Sequence, residues 1–204
     1  MKRFVIKTIA EFIEKYVIEP KIERCLLSHD ELQQLICDGV IDADPANVNA
    51  ASIDITLHKV ILQEGHPRFN SVINLAQKEN IETSEISMTK NGYTLSPGEF
   101  LLASSRETFN LPDDISAEYK LKSSQARNGL DHANAGWAGA GWNNSKLTLE
   151  FKNISARHHL TINTGMKCGQ MVFFKHKKVP RHASYATRGQ YNGQSKVTAS
   201  KGVR

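Results

Sequence analysis

The stretch Ser52-Ile53-Asp54-Ile55-Thr56-Leu57-His58 alternates polar and apolar side chains without a break. Successive side chains of an extended strand leave on opposite faces, so a period of two describes a strand with one face on a core. Outward from it, short strand-like runs recur between turn signals: Asn91-Gly92, Ser96-Pro97-Gly98, Asn163-Thr164-Gly165 and Lys178-Val179-Pro180. Many short strands separated in this way predict a mainly β chain, built as a sandwich or a closed barrel with helices added in front. Residues 76–91 are polar and weakly patterned, and read as a loop or an irregular excursion.

Two helices are expected ahead of the strands. Val5, Ile9, Phe12, Ile13, Tyr16 and Val17 have helical spacing, and Pro20 ends the segment 1–19. Its one-sided pattern suits docking on the body or on a neighbouring subunit. The second helix carries a full start signal. Ser28 is the N-cap, Glu31 sits three residues on, and Leu27 and Leu32 are placed as a hydrophobic staple. Leu32, Leu35 and Ile36 make its buried stripe, and Gly39 is its stop.

A chain of 204 residues is long enough for one domain with a real core. The apolar runs fall far short of the roughly 20 residues that cross a bilayer. Lys7, Glu11, Glu14 and Lys15 break any signal-peptide core. A cytoplasmic protein with no membrane partner is therefore expected. Cys25, Cys37 and Cys168 are odd in number and far apart, with no CxxC pair, and so predict reduced structural thiols rather than a disulfide framework or a zinc site.

Charge is distributed unevenly. All 21 acidic residues lie in 1–150, where they face 15 Lys and Arg; the 54 residues after Glu150 hold 11 Lys and Arg and no acid. Such a basic end meets a phosphorylated small molecule, a nucleic acid or only solvent. Its cations are dispersed and its aromatic residues sparse, which disfavours a nucleic-acid partner.

Three stretches could carry chemistry. In Lys122-Ser123-Ser124-Gln125-Ala126-Arg127-Asn128-Gly129-Leu130, two hydroxyls, their amides and the Arg127 guanidinium can gather phosphate oxygens, and Lys122 adds a point charge. In Leu147-Thr148-Leu149-Glu150-Phe151-Lys152, Thr148, Glu150 and Lys152 share one strand face. The ordinary role for Glu150 is an exposed carboxylate paired with Lys146 or Lys152. The preceding Gly136-Trp137-Ala138-Gly139-Ala140-Gly141-Trp142 argues for more, because glycines admit close approach of a ligand and tryptophans offer flat walls for a base. The tail Ser184-Tyr185-Ala186-Thr187-Arg188-Gly189-Gln190-Tyr191-Asn192-Gly193-Gln194 is polar and broken by glycine, either a disordered end or a lid that orders over an anion.

These stretches resemble the metal-independent dCTP deaminases, which share a fold with the trimeric dUTPases. Lys122 to Leu130 is similar to that family's phosphate motif, Arg-Ser-Ser-x-Ala-Arg-x-Gly-Leu, and Leu147 to Glu150 to the strand bearing its catalytic glutamate. Gly169-Gln170-Met171-Val172-Phe173-Phe174 resembles its Gly-Gln-Leu-x-Phe strand, Gln190 to Gln194 its closing Lys-Tyr-x-x-Gln, and Ala51-Ser52-Ile53-Asp54 its Ala-Ser-x-Asp. Three positions depart: Gly139 stands for the Asp of Asp-x-Gly, Lys122 for an Arg and Gln190 for a Lys.

The resemblance implies a distorted, dUTPase-like β-barrel with N-terminal helices, assembled as a homotrimer with sites between subunits. Residues 1–26 would be a helical extension. The domain would span 27–204, with a flexible lid over about 185–204. The implied reaction is hydrolytic deamination of dCTP to dUTP and ammonia, with Glu150 as general base and Ser123 and Arg127 positioning water and base. Substrate would be held by Lys122, Ser123, Ser124, Gln125, Ala126 and Arg127, by Gly136 and Gly139, by Thr148, Leu149 and Glu150, and by Tyr185, Gln190 and Gln194. Magnesium is expected only as a passenger on the triphosphate. Zinc is not expected, since the P-C-x-x-C half of the zinc-deaminase signature is missing. The alternatives are a dUTP diphosphatase, a bifunctional deaminase and diphosphatase, and a non-catalytic nucleotide-binding relative. Loss of the Asp at 139 counts against the diphosphatase, which needs a carboxylate to orient water at the α-phosphate.

Overall fold

The computed structural model describes residues 25–65 and 72–202; the helix expected over 1–19 lies outside them. Helix α1, His29–Cys37, starts where its local chemistry dictates, with both halves of the Ser28/Glu31 capping box formed. The Ser28 amide donates to Glu31 Oε2 at 2.9 Å. Leu27 and Leu32 are both buried, closing the staple, and Leu35 and Ile36 pack on the core. Gly39 takes φ of +71° just beyond the helix, a conformation that suits glycine.

The strands are β1 (Ile41–Asp42), β2 (Ile53–Thr56), β3 (Val60–Glu64), β4 (Thr83–Ser87), β5 (Tyr93–Leu95), β6 (Phe100–Ser104), β7 (Thr108–Phe109) and β8 (Ile115–Leu121). After the short helix α2 (Ser123–Ala126) come β9 (Leu130–His132), β10 (Trp137–Ala138), β11 (Thr148–Asn153), β12 (Leu160–Ile162) and β13 (Lys167–Lys175), and then helix α3 (Tyr185–Arg188). A five-stranded sheet has the order β4-β3-β6-β11-β9 and a four-stranded sheet the order β10-β8-β13-β2; β1 with β7 and β12 with β5 make two small pairs. The named ladders are antiparallel.

Mainly β is the outcome, but the expected barrel does not close among the described residues. The chain leaves one sheet at β2 and enters the other at β3, and near that crossing only an isolated bridge, Leu57 to Ser105, ties the two. The strands at the open edges include β9, of three residues, and β10, of two, too short to carry a ladder around. The two sheets instead share one core, with Ile53 and Ile55 of β2 and Phe173 of β13 meeting Leu101 of β6 and Leu149 and Phe151 of β11, all fully buried.

Two expectations are corrected. Residues 76–91 are not merely a loop, because Thr83–Ser87 pairs with β3 from Val60–Ser87 to Glu64–Thr83. As an edge strand it is wet on both faces, which erases the period-two pattern. β2 in turn is buried on both faces, not one. Its polar side survives burial by pairing: Asp54 with Lys122 and Lys167, and Thr56 with Glu107.

Candidate active site

β11 carries the alternation its sequence promised. Leu149, Phe151 and Asn153 are buried, while Thr148 and Glu150 turn to a cavity of about 440 Å³ and Lys152 to solvent. The cavity is walled by Phe100, Leu102, Leu147, Trp137, Ala138 and Trp142, by Asn80, Ile81 and Thr83, and by the tail residues Tyr185, Tyr191, Gln194, Thr198, Ala199 and Ser200. Glu150 is thus the carboxylate in a largely aromatic and aliphatic wall.

Glu150 pairs with neither Lys146 nor Lys152. Lys146 Nζ instead donates to the Arg106 carbonyl and to Thr108. The polar neighbour of Glu150 is His132, whose Nε2 stands 3.1 Å from Glu150 Oε2. The distance is that of an ion pair, but the angle falls short of a hydrogen bond, and neither atom has another partner among the described residues. Thr148 Oγ1 and Gln194 Oε1, which line the same cavity, are also buried without a hydrogen bond among the described residues. Buried polar atoms are normally satisfied, so this concentration around one cavity marks a place built for a ligand. Burial pushes the Tyr119 phenol above its ordinary value, with the Cys168 thiol and the charge of Glu150 adding to it.

The glycine-rich stretch has a structural explanation at one end. A Cβ on Gly136 would come within 2.9 Å of Tyr119 Cβ and its carbonyl oxygen, so close packing of β10 on β8 demands glycine there. Gly141 requires it twice, with φ of +85° and Ser184 Oγ where a Cβ would go. Gly139 differs. Its φ is ordinary, and a Cβ would meet only the Tyr185 ring, at 3.3 Å from Cδ2. Trp142 stacks on Phe109 at 5.5 Å and donates from Nε1 to the Tyr191 carbonyl at 2.8 Å, while Trp137 is 62% exposed and stacks on Phe174.

The fold brings Thr148, Glu150, Tyr185 and Gln194 to one cavity and leaves the phosphate motif apart from it. Ser123, Ser124, Ala126 and Arg127 are exposed on and beside α2, Gln125 is half-buried, and none of them lines the cavity. Lys122 Nζ lies 2.7 Å from Asp54 Oδ1, its charge committed to a buried carboxylate. Leu149 gives its side chain to the core. The carbonyl of Gln190 accepts from Lys201 Nζ at 2.7 Å. The tail is folded on its own chain rather than loose: Lys146 N donates to the Gln194 carbonyl at 2.7 Å, and Val197 is buried.

Sequence reasoning did not single out His132, Tyr191 as a cavity wall, or the Asn80–Thr83 side of the cavity. For His132 there was a usable signal, an imidazole at the end of a short strand following the phosphate motif. Nothing local, however, says that this strand pairs with β11.

The dCTP deaminase-like family model matches residues 26–176. A dUMP-forming dCTP deaminase of Rhodococcus jostii is 31% identical over 182 residues, covering 86% of this chain and 95% of that protein. A dUMP-forming dCTP deaminase of Mycobacterium ulcerans is 33% identical over 183 residues, with the same shares covered. Among solved structures, the 2′-deoxycytidine 5′-triphosphate deaminase of Agrobacterium tumefaciens superposes with a TM-score of 0.60 at 20% identity, over 75% of this chain and about half, 48%, of that one. Five motifs in order, a shared fold and a family match over most of its length lead to one assignment: this chain belongs to the dCTP deaminase-like family.

Proposed function

We propose that the chain hydrolyses the exocyclic amine of dCTP, with Glu150 as the general base. The observation that carries this reading is Glu150 itself, a carboxylate paired with no lysine among the described residues, in an aromatic cavity of about 440 Å³. Water adds to C4 of the cytosine ring while Glu150 takes its proton. Glu150 passes that proton to N3, then carries the proton of the new C4 hydroxyl to the amine, so that C4=O forms, C4–N breaks and ammonia leaves. Trp137, Trp142 and Tyr185 supply flat walls for the base, and Gln194 and Thr148 offer the unpartnered polar atoms.

In this reading Ser123, Ser124 and Arg127, with the Gln125 and Ala126 amides, hold the triphosphate and any magnesium it carries. Because they are exposed and apart from the cavity of their own chain, the site is completed by a neighbouring copy, as in a homotrimer. Residues from about 185 onward are its lid.

The product we propose is dUTP. Attack on the α-phosphate needs a carboxylate to orient water, and at the position that would supply it Gly139 lies under Tyr185. A second reading, release of dUMP, is favoured by the names of the relatives, which are called dUMP-forming. Purified protein incubated with dCTP, dCMP, CTP and dUTP separates the two. Ammonia and dUTP without pyrophosphate are expected from dCTP alone; pyrophosphate equal to ammonia would establish the second reading, and no ammonia from any cytosine nucleotide would refute deamination.

A further inference from the structure

His132 is 6% exposed, and its ring is held on two sides, 4.7 Å from Tyr119 and edge-on to Phe151 at 6.0 Å between centroids. Its backbone is fixed too, because β9 pairs with β11 with His132 opposite Phe151, and the next amide, Ala133 N, donates to the Glu150 carbonyl. The imidazole therefore has little freedom to turn away. Its Nε2 faces Glu150 Oε2 at 3.1 Å, and neither atom has another partner among the described residues. A lone pair facing a carboxylate oxygen at that distance is repulsive, so Nε2 carries the proton there. The contact becomes a hydrogen bond with a small rotation of either side chain.

We infer that His132 is the positioning residue for Glu150: it covers Oε2 and leaves Oε1 as the oxygen presented to a ligand in the cavity. A glutamate has three rotatable bonds, and among the described residues no other ion pair or side-chain hydrogen bond orients this one. Holding one oxygen reduces the arrangements the base must search before it meets a water at C4. This rests on the deaminase reading for its consequence, but the pairing itself does not.

The test has two independent arms. In the first, the imidazole nitrogen resonances of His132 are followed in ¹⁵N-labelled full-length protein and in Glu150→Gln. A proton on Nε2 and a shift of that signal in the variant are expected; signals indifferent to Glu150→Gln overturn the pairing whatever the activity. In the second, kcat and KM for dCTP are measured for His132→Phe, which keeps the aromatic packing but has no donor, and for His132→Gln, whose amide can donate. We expect kcat of His132→Phe to fall on the order of 10–10²-fold with KM and Tm kept, and His132→Gln to recover part of it. A kcat within about twofold of wild type, or no recovery with Gln, overturns the positioning role. If His132→Phe lowers Tm, the Gln variant and the nitrogen signals decide. If wild-type protein leaves dCTP intact, the deaminase reading fails and the first arm alone decides the pairing.

Discussion

Lys122 Nζ and Asp54 Oδ1 are 2.7 Å apart, joining the phosphate motif to a carboxylate buried in β2. Lys167 closes on the other oxygen at 3.0 Å, and Asn49 donates to Oδ1 at 2.9 Å. At this position the family motif usually has an arginine, and the lysine here acts as a strut that fixes the start of α2. Burial alone would raise the Asp54 carboxyl, but the two lysines and Asn49 outweigh it and hold it below its ordinary value.

Asp54→Asn should therefore cost roughly 1.5–3 kcal/mol, the loss of charge-assisted bonds to two lysines. The folded carboxyl binds its proton less tightly than the unfolded one. Its stabilisation is complete above the unfolded value of about 3.9 and disappears as pH falls through the lower folded value. Urea midpoints at pH 7 and in the acid range should show that loss in wild type and not in the variant; parallel acid sensitivity in both would assign it to other groups.

Glu150→Gln should abolish deamination while nucleotide binding survives. The amide keeps the shape but cannot take the proton, and loss of a general base costs on the order of 10²–10⁴ in rate. Single-turnover assays beside nucleotide titration would check this, and turnover near wild type would remove Glu150 from the mechanism.

Deleting residues after Arg188 should raise KM for dCTP, since Tyr191, Gln194 and Thr198 wall the cavity. It should also lower Tm, because Trp142 Nε1 and Lys146 N lose their acceptors and buried Val197 is removed. Calorimetry with steady-state kinetics would resolve the two effects. An unchanged KM in the truncated chain would show that the tail supports the fold and not the substrate.

The Asp that Gly139 replaces is expected, from the resemblance to the dCTP deaminases, to hold the deoxyribose 3′-hydroxyl, so Gly139→Asp should improve kcat/KM for dCTP through one hydrogen bond from that hydroxyl, worth roughly 1.5–3 kcal/mol at most. Its φ permits the change, but Tyr185 must yield a few tenths of an ångström at the 3.3 Å contact. Tyr185 is hemmed in from the far side as well, since Gly189 lies against its ring. The gain should vanish with a 2′,3′-dideoxy substrate; an equal gain there would give the carboxylate some other role.

The three thiols should differ in reactivity. Cys25 and Cys37 are exposed, whereas Cys168 is fully buried and its thiol is pushed by burial up to about 12. A colorimetric thiol reagent at pH 8 should modify Cys25 and Cys37 at once and Cys168 only after denaturation. Rapid labelling of Cys168 in the native protein would mean that the β2–β13 region opens.

What the sequence by itself determined was local. Ser28 and Glu31 specify the start of α1 because the groups that satisfy its free amides lie within one turn. The period of two set which face of β11 holds Glu150, and five ordered motifs carried the family. What only the tertiary structure decided was which distant groups meet. The pairing of β9 with β11 brings His132 to Glu150, β13 and β8 bring Lys167 and Lys122 to Asp54, and the fold of the tail lays Tyr185 over Gly139. No pattern along the chain encodes such partners, because strand pairing is chosen by the joint burial of side chains far apart in sequence. For the same reason the open sheets could not be told from a closed barrel: closure depends on whether the edge strands are long enough to pair, and their length is settled by the packing around them.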